Sequence, residues 1–334
     1  MKSKKSLSLM ALALAGGVFA LAKANLTPEQ QAEQLTARYP TRPVTLVVTF
    51  PPGGGTDWLA RRLSLDLSQD LGQPVVVENR AGASGNIGAQ SVAKSAADGH
   101  TLLVVNSSYA VNPGVFKELG FDPLHDLKGV VNLGYVPSVL VVPANAPYAS
   151  LGELLAAAKQ GVSINIASCG NGTPQHLAAE QIKQRAQVSM QHIPYKGCGP
   201  ALAAVVGKQV HGAVVTASSA TPFIKQAALR GLGVTSPARS SSLPDVPTIA
   251  EQGYPGFELN QWHGLLAPSA TPQRLVEALN ARINKLAAEP AFREDLLKAG
   301  FDPKTDSADA FHQEVMRDIE RFGTLTRELG LKID

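Results

Sequence analysis

Apolar positions along the chain gather into short runs separated by helical spacings. Val44 to Phe50 reads as a buried strand. Leu59, Leu63 and Leu67 recur at helical spacing within Asp57 to Leu71, and Gly72 supplies a stop. A strand over Pro74 to Glu78, a helix over Ile87 to Ala97 and a strand over Thr101 to Val105 complete a βαβαβ series, the signature of a parallel sheet covered by helices. A Pro- and Asp-rich connection then leads to an apolar strand at Ser138 to Pro143. Ser150 and Glu153 form a capping box that opens a helix.

A second series follows. Strands are expected at Ser163 to Ser168, Val188 to Ile193, Ala213 to Thr216 and Leu232 to Thr235, and helices at Pro174 to Arg185, Pro200 to Gly207 and Thr221 to Leu229. Ser236 to Pro247 reads as a loop and Trp262 to Ala267 as a strand. Thr271-Pro272 opens a long helix, followed by helices near Ala291 to Ala299 and Ser307 to Leu329. These last three have no strands of their own and are expected to cover the first sheet. The division that results is a signal segment at 1–24, one lobe from 40–140 and 263–334, and a second lobe from 141–262, joined by two crossing strands that act as a hinge.

The signal expectation rests on Lys2, Lys4 and Lys5, an apolar run from Leu7 to Ala22 and the small-x-small sequence Ala22-Lys23-Ala24. The run is shorter than the roughly 20 residues a membrane span needs. Removing residues 1–24 leaves 26 basic against 27 acidic residues, so the chain's positive charge resides in its leader and gives no reason to invoke nucleic acid. Two cysteines are too few for a disulfide framework, and the seven scattered histidines form no HxxxH or HExxH. No metal or cofactor is expected, and nothing requires more than a monomer.

Two strand-to-helix loops carry the candidate chemistry: Pro51-Pro-Gly-Gly-Gly-Thr-Asp57 and Cys169-Gly-Asn-Gly-Thr-Pro174. Glycine allows close backbone approach to a guest. The first N–H groups of a helix lack internal partners and attract anions. Ligands of parallel α/β sheets bind beyond the strands' carboxyl ends. Two such loops facing one cleft suit a carboxylate. The first loop is neither a P-loop nor a GxGxxG fingerprint, because Asp57 follows Thr56 where Lys is needed. Asp57 is expected mainly to order its loop, since a buried carboxylate repels an anion. Thr173, with a neutral hydroxyl, is the better direct contact. For His176, a packed core role is favoured over a ligand contact.

At these residues the sequence resembles the Bug family, the extracytoplasmic substrate-binding proteins of tripartite tricarboxylate transporters. The matching stretches are Phe50 to Asp57, Glu78 to Gly88, Asp98 to Leu103, Gly170 to Leu177, Pro194 to Gly197, Leu243 to Glu251 and the Thr271-Pro272 helix, in order along nearly the whole chain after Tyr39. The resemblance implies a two-lobed α/β fold of the Venus-flytrap, type II-like class. It implies a small di- or tricarboxylate or aromatic acid, held near Gly54 and Thr173 partly through water, and a periplasmic receptor that serves membrane transporter subunits. The expected ligand set is Phe50, Gly53, Gly54, Gly55, Thr56, Asp57, Asn106, Gly170, Asn171, Gly172, Thr173, His176, Tyr195, Lys196 and Thr216.

The chain departs from the family pattern at His211, which stands in an acidic place, and at Thr216-Ala-Ser-Ser219. Loss of acids there argues against an ammonium-bearing guest. Cys169 and Cys198 replace small residues in loops after strands that the family order makes neighbours, which implies a disulfide in an oxidising compartment. Two other readings stay open: a ligand sensor docking on a receptor kinase, and a hydrolase. For the latter, Ser218, His176, His211 and Asp57 form no recognisable triad order, and there is no GxSxG elbow, so an enzyme is not expected.

Overall fold

A computed structural model describes residues 27–332; the expected signal segment 1–24 lies outside the described residues. Helix α1 (Pro28–Arg38) is opened by a capping box between Thr27 and Gln30 that the hydrophobic pattern does not reveal. Strand β1 (Val44–Val48), α2 (Gly55–Leu71), β2 (Val75–Asn79), α3 (Asn86–Ala93) and β3 (Thr101–Asn106) follow. β1 pairs in parallel with β2 on one side and β3 on the other. α2 buries Leu59, Leu63 and Leu67 and ends on Gly72 in the left-handed conformation.

The polar connection expected after β3 is more ordered than its composition suggests. It contains α4 (Ser108–Val115), hidden by Pro113 within the helix. It then enters β4 (Leu127–Pro143), which starts eleven residues before the expected strand at Ser138. Gly129, Asn132 and Gly134 interrupt the apolar pattern in β4, and they mark two register shifts against the neighbouring strand. At Gly134 (φ +152°) a Cβ would lie 2.7 Å from the Asp302 carbonyl oxygen, so the chain is close-packed there.

The second half contains α5 (Leu151–Lys159), β5 (Asn165–Ser168), α6 (Pro174–Ala186), β6 (Gln191–Pro194), α7 (Cys198–Val206), β7 (Gly212–Thr216), α8 (Ala217–Lys225) and β8 (Leu229–Val234). α8 starts four residues before the expected Thr221, and β8 occupies the end of the expected helix. Pro222 is accommodated inside α8. The chain returns through β9 (Asn260–Pro268), then α9 (Gln273–Ala288), α10 (Pro290–Lys298), the short β10 (Asp302–Pro303) and α11 (Ala308–Glu328).

All strands belong to one mixed sheet with the path β2-β1-β3-β9-β4-β7-β5-β6, and β8 and β10 also pair with β4. β4 is the shared member. From Leu127 to Pro137 it pairs antiparallel with β9; from Ser138 onward it pairs with β7 and β8. Its side chains feed two cores on opposite faces. Val136, Val139 and Val141 join one, and Leu140 and Val142 the other. α11 presents Phe311, Val315, Ile319 and Phe322 at helical spacing to the second core. Trp262 belongs to that core: it is buried, meets Phe311 edge-on at 5.2 Å and donates to Asp318 Oδ2 at 3.0 Å. Its side chain packs against α11.

β5 and β6 are parallel neighbours, with Ser168 opposite Pro194. The loops that leave them are joined by a disulfide between Cys169 and Cys198. With 29 residues of separation, the chain-entropy relation assigns this bridge about 3–4 kcal/mol. The double substitution Cys169→Ser, Cys198→Ser is expected to lower the denaturation midpoint accordingly. An unchanged midpoint would show that the bridge contributes nothing to stability.

Candidate functional site

The chain from β1 to α2 turns at Gly53, whose φ of +88° favours glycine. Gly54 is the N-cap of α2 and has no side chain to bond the first turn. The N–H groups of Gly54, Gly55 and Thr56 therefore have no protein partner among the described residues. Asp57 lies in the same turn but is directed away. Its Oδ2 accepts from the Gly53 N–H at 3.0 Å, and its Oδ1 accepts from Asn79 Nδ2 at 2.8 Å. Arg61 Nε reaches both oxygens, at 3.1 and 3.0 Å. Asn79 also donates to the Phe50 carbonyl at 3.0 Å. Burial works to raise the Asp57 pKa, but the bonds from Arg61, Gly53 and Asn79 hold the carboxyl below its usual value. Asp57 thus braces the loop from behind.

Three helices of the other half begin at the same place. α7 starts after Gly197 and α8 after Thr216, and neither has a side-chain cap. α6 is capped by Thr173, whose hydroxyl donates to the Gly170 carbonyl at 2.7 Å and accepts from the His176 N–H at 3.3 Å. The single O–H of Thr173 is thereby committed inside its own loop. Thr173 lines the cavity with its hydroxyl engaged in bracing the loop.

These helix starts enclose a cavity of about 230 Å³, below the roughly 300–1,000 Å³ typical of sites for drug-sized ligands. Phe50, Gly53, Gly54, Gly55, Thr56 and Asn106 form one wall, and Cys169, Thr173, Lys196, Cys198 and Thr216 the other. Lys196 is the one charged side chain in the lining, and no carboxylate lines it. Gln175 and His263 also line the cavity, and the sequence reading passes over both. Gln175 sits inside a helix, where its Nε2 donates to Ser138 Oγ at 2.9 Å. His263 lies within an apolar strand, beside Asn106. Only the meeting of strands distant in sequence brings them to the site.

An outer chamber of about 560 Å³ adjoins the first and shares Phe50, Pro51, Cys169, Lys196 and Gly197 with it. Gly170, Asn171 and Tyr195 line this chamber and not the inner cavity. Gly172 lines neither; a Cβ there would meet Asn112 Oδ1 at 2.7 Å and Phe116 at 2.8 Å. The two halves touch directly where Ser84 Oγ donates to the Asn171 carbonyl. His211 is exposed and accepts from the Asn165 N–H at 3.0 Å, so its departure from the family pattern has no bearing on the cavity's charge.

His176 stands behind the site. Its ring stacks on His192, with centroids 4.0 Å apart, and its Nδ1 accepts from the Gly172 N–H at 3.3 Å. His192 Nε2 lies 2.6 Å from Ser168 Oγ, which in turn accepts from the Gly170 N–H. Burial lowers the two pKa values to about 4 and about 3, so both rings are neutral at pH 7 and order the loop. With Glu180 they form the one trio of metal-ligating groups among the described residues whose ligand atoms lie within 4.8 Å of one another. Two contacts compete with an ion: the Gly172 bond leaves the His176 proton on Nε2, and Lys183 engages Glu180 at 2.7 Å.

Comparison with known proteins agrees with this architecture. Residues 59–331 match the tripartite tricarboxylate transporter family receptor. Protein BugT of Bordetella pertussis (strain Tohama I) is 38% identical over 298 residues, covering 88% of this chain and 91% of that protein. An R. palustris protein solved with adipate superposes with a TM-score of 0.84 at 33% identity, covering 88% of this chain and all of the other. MatC from Rhodopseudomonas palustris, solved with bound malate, gives 0.81 at 31% identity over 86% of this chain and all of MatC. The chain's fold is thus that of periplasmic binding proteins, and the matched family is one of substrate receptors and not of enzymes. On this evidence the chain belongs to the Bug family of tripartite tricarboxylate transporter receptors.

Proposed function

We propose that this chain, after removal of a signal segment near Ala24, acts as a monomeric periplasmic receptor. It captures a small carboxylate between a lobe of residues 40–140 and 263–334 and a lobe of residues 141–262, and delivers it to the membrane subunits of a tripartite tricarboxylate transporter. The observation that carries this reading is the convergence of uncapped helix starts, at Gly54–Thr56, Cys198–Gly199 and Ala217–Ser218, around a cavity whose one charged side chain is Lys196. Each helix N-terminus bears partial positive charge and free donors. Such a site rewards a guest that only accepts hydrogen bonds, as an ionised carboxylate does. Adipate and malate in the solved relatives support the same guest class. β4 and β9 serve as the hinge, because the pairing of β4 changes between Pro137 and Ser138. The Asp57–Arg61–Asn79 brace and the His176–His192 pair position the loops without touching the guest.

A thermal-shift screen of adipate, malate, succinate, citrate and benzoate tests this reading. A carboxylate at one hundred times its dissociation constant is expected to add about 2.7 kcal/mol of stability. Absence of a shift with every acid, alongside a shift with a neutral or cationic solute, would contradict it. Gly55→Pro offers a sharper probe, since proline suits the first position of a helix and removes one donor, with Ser218 Oγ, 3.1 Å from the added Cβ, shifting to admit it. The folded state is expected to persist while affinity for the screened acid falls about ten- to hundredfold, the worth of a hydrogen bond to a charged group. Titration calorimetry on the variant reads this directly, and an unchanged affinity would remove Gly55 from the site.

A further inference from the structure

The Cys169–Cys198 bridge stands in the wall of the inner cavity, and Cys169 also lines the outer chamber. Other bonds hold the same two loops. β5 and β6 pair from Asn165 to Ser168. The Tyr195 N–H donates to the Ser168 carbonyl at 3.2 Å, and the Gly197 N–H to the Cys169 carbonyl at 3.1 Å. The loops therefore keep their register when the two sulfurs part, and the consequence of parting them falls on the cavity.

Cys198 is also the first residue of α7, whose N-cap, Gly197, has no side chain to offer. The Cys198 and Gly199 N–H groups have no protein partner among the described residues, and Pro200 carries no N–H. Thr216 Oγ1 lies 3.8 Å from Cys198 Sγ. In the bridge this sulfur is neutral and leaves the donors to a guest. A released Cys198 stands at a helix start, in a cavity lined by Lys196, and both features favour the thiolate. A thiolate accepts from the donors that a carboxylate would use, and it cancels the single positive charge of the lining.

We propose that the Cys169–Cys198 bridge is a redox switch on capture: the bonded form admits the anion, and reduction by a dithiol sets a competing thiolate at the start of α7. The inference rests on the carboxylate reading above and adds control to it. One thiolate of the dithiol attacks a bridge sulfur, forming a mixed disulfide and displacing the other cysteine. The second thiolate then attacks its own partner sulfur, which frees the remaining cysteine and leaves the reagent as a disulfide. Two electrons pass to the protein, and the dithiol's two protons go to the released sulfurs or to solvent. By linkage, the factor by which reduction weakens the guest is the factor by which the guest resists reduction.

Calorimetric titration of the full chain with adipate, malate and benzoate, before and after treatment with dithiothreitol, tests the switch. Mass spectrometry after alkylation counts the free thiols, and circular dichroism follows the fold. An acid that binds the bonded form is expected to bind the reduced form about tenfold or more weakly, the worth of at least one hydrogen bond. Reoxidation is expected to restore its affinity, and its presence to slow the appearance of free thiols. The double substitution Cys169→Ala, Cys198→Ala has no bridge to lose, and its affinity, whatever its value, is expected to be the same with and without dithiothreitol. Unchanged affinity with two free thiols, a bridge that stays intact in excess dithiothreitol, weakening that comes only with loss of the folded spectrum, or an equal response in the double variant would overturn the switch and leave the carboxylate reading standing. Failure of every acid to bind the bonded form would overturn both.

Discussion

The structure depends on helix starts whose donors are left without side-chain caps. Capping a first turn with Ser, Thr or Asp normally stabilises a helix by about 1 kcal/mol. α2 and α7 instead begin at glycine, and the Thr216 hydroxyl at the start of α8 bonds to the Ser219 side chain at 2.8 Å and not to the backbone. Unpartnered N–H groups persist in a closed space only when a guest or solvent completes them. Local stability is thus given up at the points where an anion is held. The loops that carry these donors are stiffened by Asp57 and the neutral histidine pair from behind the cavity, and by the Thr173 cap and the Cys169–Cys198 bridge in its wall.

The long strand β4 turns separate loops into a single site. Because its first part pairs with β9 and its second with β7 and β8, it carries the chain from one half of the sheet to the other. The carboxyl ends of β1, β3, β5, β6 and β7 then lead into the same cavity through Phe50, Asn106, Cys169, Lys196 and Thr216. Gln175, bonded to Ser138 where the pairing of β4 changes, links the wall of the cavity to this crossover.

Much of this was legible in the chain. The βα rhythm announces an α/β fold, and the glycine-rich turns at Gly53 and Gly170 mark where strands give way to helices. Gly54 and Gly55, which line the cavity, are legible because glycine leaves a signature in sequence. The direction of a side chain does not. Asp57, Thr173 and His176 lie in the right loops, but their polar atoms are committed to bracing, which depends on partners such as Asn79 and His192 from neighbouring strands. His263 and Gln175 were missed for the converse reason: each occupies an ordinary position in a strand or helix and faces the cavity only after distant strands pair. α4 and the first part of β4 were hidden by Pro113, Gly129 and Gly134, where tertiary packing overrides local preference.

The central claim is that backbone donors at helix starts hold the guest's carboxylate. A crystal structure of the protein with a bound dicarboxylate tests it most directly. The account predicts carboxylate oxygens within hydrogen-bond reach of the Gly54, Gly55 or Thr56 N–H groups, directly or through a single water. A carboxylate that pairs with the Lys196 side chain alone, or a guest seated outside the cavity between the two halves, would contradict it.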